Sequence, residues 1–299
     1  MADSSLTGKT VIVTGGASGI GLALVKFFAS HNTHIAILDI STPPPTLLST
    51  LETDFPSSTF VFKKCDISSW DEQKAVFADV YKTFGSVDVV CANAGVSEIG
   101  HFLEKEEEGE EPRKPGLKTL DINLTGTLFS IKLAVYYMRK NSSSQKGHII
   151  CTASNAGLYP FSIAPMYGIT KHGVVGAVRS FAKPLEADGI RINGVCPNCI
   201  GMPIYAIPLS RIPISSLFED ILLIIKAVTG LADEKLFSSM ALTPMSTLIS
   251  AIQEFTTNTS LTGVTAEISG EKFTIRHPPE FVDDITKKNF DAFWALGYA

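Results

Sequence analysis

The chain has 299 residues, 45% of them hydrophobic, with a net charge of −5 and a pI near 5.7; that supports a sizeable core in one large or two small domains. With an acidic balance and no Lys/Arg-rich run, nucleic acid is excluded as an expected partner. No basic-then-apolar leader follows Met1, the apolar run Ile221 to Ile225 is cut by Lys226, and no apolar run approaches the ~20 residues that cross a bilayer, so the expectation is a cytoplasmic protein with no membrane span.

The β-branched run Thr10 to Thr14 leads directly into Gly15, Ser18, Gly19, Ile20 and Gly21, after which Leu22, Leu24, Val25, Phe27 and Phe28 fall at helical spacing. A strand, a glycine-rich turn and a helix in that order let backbone approach a pyrophosphate aimed at a helix amino end. The spacing Gly15-x-x-x-Gly19-x-Gly21 differs from the commoner G-x-G-x-x-G. The next strand, His34 to Asp39, ends in a carboxylate placed to bond an adenosine ribose diol and repel a 2′-phosphate, which favours NAD over NADP. A third strand, Thr59 to Asp66, puts Asp66 and Ile67 beside an adenine. A helix over Trp70 to Phe84 is stopped by Gly85, and the strand Val87 to Cys91 runs into Asn93, Ala94 and Gly95.

From Ser97 to Pro115 a prolonged loop carries the acidic run Glu104 to Glu111, read as a solvated charge run without chemistry. Leu117 to Lys140 reads as one long helix with Leu120, Leu124, Leu128, Ile131, Val135 and Met138 inward. The buried strand His148 to Thr152 places Ser154 just beyond its carboxyl end. In the helix Met166 to Leu185, Tyr167 and Lys171 are four residues apart and project from one face, where each alters the other's charge state. A nearby cation brings a phenol, ordinarily near pKa 10, into the range of a usable base. Gly189 to Pro197 is a sixth strand, residues 200–245 a Pro-rich, then apolar stretch, Ser246 to Phe255 a helix, and Gly263 to Ile268 a seventh strand. An aromatic tail, residues 281–299, is expected to pack on the body or on a partner subunit.

Regular alternation of strand and helix makes the expected fold α/β: one dinucleotide-binding domain over residues 1–299, with a doubly wound parallel sheet of about seven strands and helices on both faces. Ligands of such sheets bind beyond the strand carboxyl ends, where Gly15, Asp39, Asp66, Asn93 and Ser154 all fall. The five cysteines include Cys196-Pro-Asn-Cys199, but no second ligand pair accompanies it, so neither a metal nor a disulfide is expected.

Thr14-Gly15-x-x-x-Gly19-Ile20-Gly21, Asn93-Ala94-Gly95, Asp121-Ile-Asn123-Leu, Ser154 and Tyr167-x-x-x-Lys171 together resemble the short-chain dehydrogenase/reductase family, closely over residues 6–200 and loosely beyond. The resemblance implies that Tyr167 is the general acid/base, Ser154 orients and polarises the carbonyl or alcohol, Lys171 holds the nicotinamide ribose and lowers the tyrosine pKa, and Asn123 supports a water in a proton relay. Pro197 and Ile200 would face the nicotinamide. It further implies a homodimer or homotetramer built through the two long helices. Two departures stand out: the family's usual Pro-Gly is Pro197-Asn198, and the threonine commonly found soon after it is missing from Cys199 to Pro203. The resemblance also implies that residues 200–245 are a substrate lid; an apolar lid suits a hydrophobic alcohol or ketone, and the nearest flavour is the fungal NAD-dependent short-chain alcohol dehydrogenases of secondary metabolism. The alternatives are an NADP-dependent carbonyl reductase, which Asp39 opposes by charge, and the same fold put to cofactor-binding regulation or a non-redox reaction.

Overall fold

A computed structural model of the chain describes residues 6–100, 102–109, 111–201 and 241–295. Short β-branched and apolar runs form β1 (Thr10–Thr14), β2 (His34–Asp39), β3 (Thr59–Lys64), β4 (Val89–Ala92), β5 (Gly147–Thr152), β6 (Ile190–Pro197), β7 (Thr265–Ser269) and β8 (Lys272–Arg276). They pair in the order β8-β7-β6-β5-β4-β1-β2-β3. Every pairing is parallel except β7 with β8. The expected seven strands are therefore joined by an antiparallel eighth, reached through a tight turn in which Gly270 has φ +58°, a conformation that favours glycine.

Both faces of the sheet are covered, so the central strands are apolar on alternate residues in both directions. Ile12, Leu38, Val90, Ile149 and Ile192 pack on one side, under α3 (Trp70–Phe84), α4 (Thr127–Met138) and α5 (Pro165–Glu186). Val11, Val13, Ile37, Cys91 and Val195 pack on the other, under α1 (Gly19–Ala29), α2 (Thr46–Asp54) and α6 (Met245–Thr257). Strand order reverses between β1 and β4, so the crevice beyond their carboxyl ends lies at the topological switch point. Register aligns those ends: Thr14 lies beside Leu38, Ala92 beside Cys151, and Thr152 beside Val195.

The single long helix expected over 117–140 is interrupted. A short turn Lys118–Leu120 passes into a wide π-type turn, Asp121–Gly126, before α4 begins. Tertiary contacts at Asn123 and Gly126 hold that extra width. Gly126 abuts the Ile67 carbonyl, which a Cβ there would approach to 2.8 Å, and Asn123 is bonded on both sides to Val96. Gly85 ends α3 at φ +81°, as its position predicts.

The tail forms α7 (Asp284–Ala295), none of whose residues is buried; of the two expected surfaces, the body or a partner subunit, the body does not cover it. Its rings satisfy one another instead, with Phe281 5.3 Å from Phe290 and Phe290 6.1 Å from Trp294. The expected lid falls mostly on residues 202–240, outside the described residues; its two ends pair as a short parallel ladder, Ile200–Gly201 with Thr243–Pro244. Among the described residues no helix is long and apolar enough to cross a membrane.

Candidate active site

The glycine turn is built at backbone contact. Gly15 and Gly19 adopt φ +63° and +53°, and a Cβ on Gly21 would lie 1.9 Å from the Gly15 carbonyl oxygen, so no side chain is possible there. Ser18 is the N-cap of α1 but makes no side-chain bond, and the first turn holds no acid. First-turn amides of a helix have no intrahelical partner, so those of α1 are left open with the positive end of the helix dipole. An anionic pyrophosphate fits this donor set. Asp39 closes the turn from the β2 end: its Oδ2 accepts from the Ala17 N–H at 3.1 Å and its Oδ1 from the Ser41 N–H at 3.0 Å. The expected ribose carboxylate therefore sits against the phosphate turn.

Asp66 and Ile67 lie at the next strand end. Asp66 Oδ1 is engaged by the N–H and hydroxyl of Ser68 at 2.9 and 2.7 Å, and the Ile67 carbonyl accepts from Gln73, so both wall the crevice with their local bonds already made. Asn93 ties β4 to β1: its N–H donates to Thr14 Oγ1 at 2.9 Å and its Nδ2 to the Thr14 carbonyl at 3.0 Å. Its Oδ1 accepts from Thr152 Oγ1 at 3.0 Å, and the Thr152 carbonyl accepts from Lys171 Nζ at 2.9 Å. Thr14, Asn93, Thr152 and Lys171 thus form one hydrogen-bonded row across three strand ends.

Lys171 is 5% exposed. Burial pulls its ammonium down to about 8 from 10.5, so it remains charged at neutral pH. Its Nζ lies 5.5 Å from the Tyr167 ring centroid. The phenol itself is raised above its ordinary value by burial, and a hydrogen bond with Ser154 pulls it back down. Ser154 is thus a lowering contact beside the expected charge of Lys171, whose Nζ donates to the Thr152 carbonyl. Ser154 caps a short turn, Asn155–Gly157, accepting from the Ala156 N–H at 3.1 Å. Asn123 stands behind the pair: a Cβ on Gly95 would be 3.1 Å from Asn123 Oδ1 and 3.5 Å from Lys171 Nζ. The side-chain amide of Asn123 bonds Val96 and Thr170 Oγ1, which fixes its orientation behind the pair.

Pro197 ends β6. The departure at Asn198 is accommodated by bonds of its own, with its N–H donating to the Ile268 carbonyl at 2.9 Å and its Oδ1 accepting from the Cys199 N–H at 2.8 Å. The Ile200 side chain packs toward the second core layer. Burial pushes the Cys196 thiol up to about 11 and that of Cys199 upward as well.

Three groups at the site were missed in the sequence. Thr152 and Thr170 are buried hydroxyls inside apolar periodic runs, where threonine reads as a strand or helix filler. Glu98, whose Oε2 accepts from the Tyr167 N–H at 3.0 Å, was passed over as part of a charged loop. A threonine that closes a strand beside a glycine or asparagine turn is the signal for the first; none marks the last.

A parallel sheet reversing at β1 and β4, with a glycine turn and an uncapped helix at the reversal, defines the Rossmann class of dinucleotide-binding proteins. Within that class the chain belongs to the short-chain dehydrogenase/reductase family, whose model, described as short chain dehydrogenase, matches residues 9–206. The short-chain dehydrogenase/reductase prx4 of Penicillium roqueforti is 42% identical over 194 residues, 64% of this chain and 54% of that protein. The chain therefore spans about half the length of that relative. The 15-hydroxyprostaglandin dehydrogenase (NAD(+)) of Mus musculus is 32% identical over 202 residues, 67% of this chain and 70% of that one. A crystal structure of levodione reductase superposes with a TM-score of 0.69 over 88% of this chain and 97% of that chain at 21% identity, a likeness of fold.

Proposed function

We propose that the protein is an NAD-dependent oxidoreductase that interconverts a secondary alcohol and a ketone on a hydrophobic small molecule. The observation that carries this reading is the meeting of the Tyr167 phenol, the Ser154 hydroxyl and the buried Lys171 ammonium beyond β5. A bound nicotinamide supplies or accepts the hydride, and the chain supplies orientation and proton handling. Burial keeps the phenol protonated at neutral pH, which suits Tyr167 to donate its proton to a ketone oxygen. Ser154 bonds the same oxygen and holds it toward the phenol. Lys171 provides the positive charge that offsets the phenolate left behind.

NAD is favoured by the position of the Asp39 carboxylate on the phosphate turn, and the mouse relative is named for NAD(+). An apolar substrate is favoured by a cleft of about 340 Å³ beside the amino end of α5, where Phe102, Leu103 and Ile163 meet Glu98 and Glu104. The two carboxylates oppose an anionic ligand. A homo-oligomer is favoured by exposed apolar side chains on the outer helices, Tyr136, Ile169 and Phe181, and mass measurement in solution tests it.

The test of the whole reading is titration with NADH and NADPH by nicotinamide fluorescence, followed by a panel of hydrophobic ketones. Tighter NADH binding with loss of signal on adding a ketone is expected. Tyr167→Phe is expected to lower turnover by on the order of 10² with cofactor affinity nearly unchanged; normal turnover would remove Tyr167 from the mechanism.

A further inference from the structure

The amino end of α5 is capped from elsewhere in the chain. Its N-cap is Ala164, which has no acceptor side chain, and its first turn contains no acid. Pro165 has no N–H, and the Gly168 N–H already bonds the Ala164 carbonyl at 2.9 Å, so the orphan donors of the first turn are Met166 and Tyr167. Glu98 Oε2 takes the second of them at 3.0 Å, across 69 positions of sequence.

From this we infer that Glu98 is a positioning residue for Tyr167, fixing the height of the phenol relative to the loop that follows β4. The inference rests on the assignment of Tyr167 as the acid/base. A local cap, such as Ser69 on α3, moves with its helix and registers it against nothing. Glu98 instead sits on a strut fixed at two other points. Asn123 clamps the Val96 N–H and carbonyl, both at 2.7 Å, and the Ile99 N–H donates to Thr119 Oγ1 at 2.8 Å. The strut also carries Gly95, where a Cβ would press on Asn123 Oδ1 at 3.1 Å and touch Lys171 Nζ at 3.5 Å. One short segment, 95–99, therefore sets the spacing of the wide turn, the lysine and the tyrosine together. Because Glu98 lines the cleft with Phe102, Leu103 and Ile163, a substrate group seated there lies against the carboxylate that holds the acid/base.

The test needs no known substrate. Amide hydrogen exchange at Tyr167 and titration of its 13Cζ-labelled phenol are compared in the wild type, Glu98→Ala and Glu98→Gln. Glu98→Gln keeps an acceptor and removes the charge, so it separates cap from charge. Exchange at Tyr167 is expected to quicken roughly five-fold in Glu98→Ala, the usual worth of a cap, with the rest of α5 unchanged and with the phenol titrating higher than in Glu98→Gln as its bond with Ser154 loosens. Glu98→Gln is expected to restore wild-type exchange. Unchanged exchange in Glu98→Ala, a uniform rise along α5, or failure of Glu98→Gln to rescue would each overturn the inference. Should Glu98→Ala not fold, Thr119→Val loosens the strut from the Ile99 side and is expected to shift the phenol in the same direction by less; an unmoved phenol overturns the inference there too. NADH binding read on the same wild-type sample tests the functional reading separately, since its loss leaves the exchange result standing.

Discussion

The amino ends of α1 and α3 start alike and finish differently. Each follows a parallel strand and each opens on a serine in extended conformation, Ser18 at φ −151° and Ser69 at φ −93°. Ser69 accepts from the Glu72 N–H, and Asp71 and Glu72 place negative charge in the first turn; Glu72 also reaches back to the Asp66 N–H at 2.8 Å. That end is complete without a ligand. Ser18 caps nothing and the first turn of α1 holds no acid of its own, so the same residue type opening a helix after a parallel strand leaves an end that an anion can complete. Stability and binding draw on the same backbone groups, and a helix end serves one or the other.

The largest break in this comparison is Gly21→Ala. Its methyl would fall 1.9 Å from the Gly15 carbonyl oxygen, forcing the turn apart, and NADH affinity is expected to drop by on the order of 10² or more, read by fluorescence titration. Lys171 extends the contrast to a side chain whose charge is held at a cost in the absence of a ligand. Its ammonium is pulled to about 8 by burial against 10.5 for the free group, so between those values the unfolded chain binds more protons and stability rises with pH; the cost is complete below pH ~8. Lys171→Met is expected to raise stability at pH 7 by up to about 3 kcal/mol. That gain should fade between pH ~8 and ~10.5 in denaturant melts, and turnover should be lost throughout.

Ser18→Asp would give α1 the end that α3 has. NADH affinity should weaken by roughly ten-fold while thermal stability holds or rises; tighter binding would mean the pyrophosphate does not lie on that end. Ser69→Ala is the smallest effect and the reciprocal control. Denaturation should show a loss of about 1 kcal/mol, with NADH affinity untouched.

The strand ends were legible because β-branched runs stop at residues with little other reason to be there: Gly15, Asp39, Asn93 and Ser154. Each fell where the run placed it, since a parallel sheet with aligned register converts sequence position into position along the crevice. The antiparallel β8 was harder to read. Lys272, Thr274 and Arg276 are exposed and Phe273 and Ile275 are half-buried, the alternation of a one-sided strand, but only five residues long and set directly after the turn at Gly270. The wide turn at Asp121–Gly126 was invisible because its residues are compatible with an ordinary helix, and what widens it lies at Val96 and Ile67. Glu98 was invisible for the same reason: its partner is a backbone N–H on another element. Side chain to backbone bonds between distant segments leave no local periodicity to read.

The wide turn also constrains how this chain can change in length. An α-helix rotates by about 100° per residue, so deleting one residue from Asp121–Gly126 would restore regular winding and swing Asn123 away from Val96, or α4 away from the sheet. Adding a residue would do the reverse. In the loop before it, which ends near Lys118, residues 102–109 are exposed throughout. Insertions and deletions among descendants of this sequence should therefore collect in that acidic loop, while the count of residues from Lys118 to Thr127 stays fixed even where their identities drift.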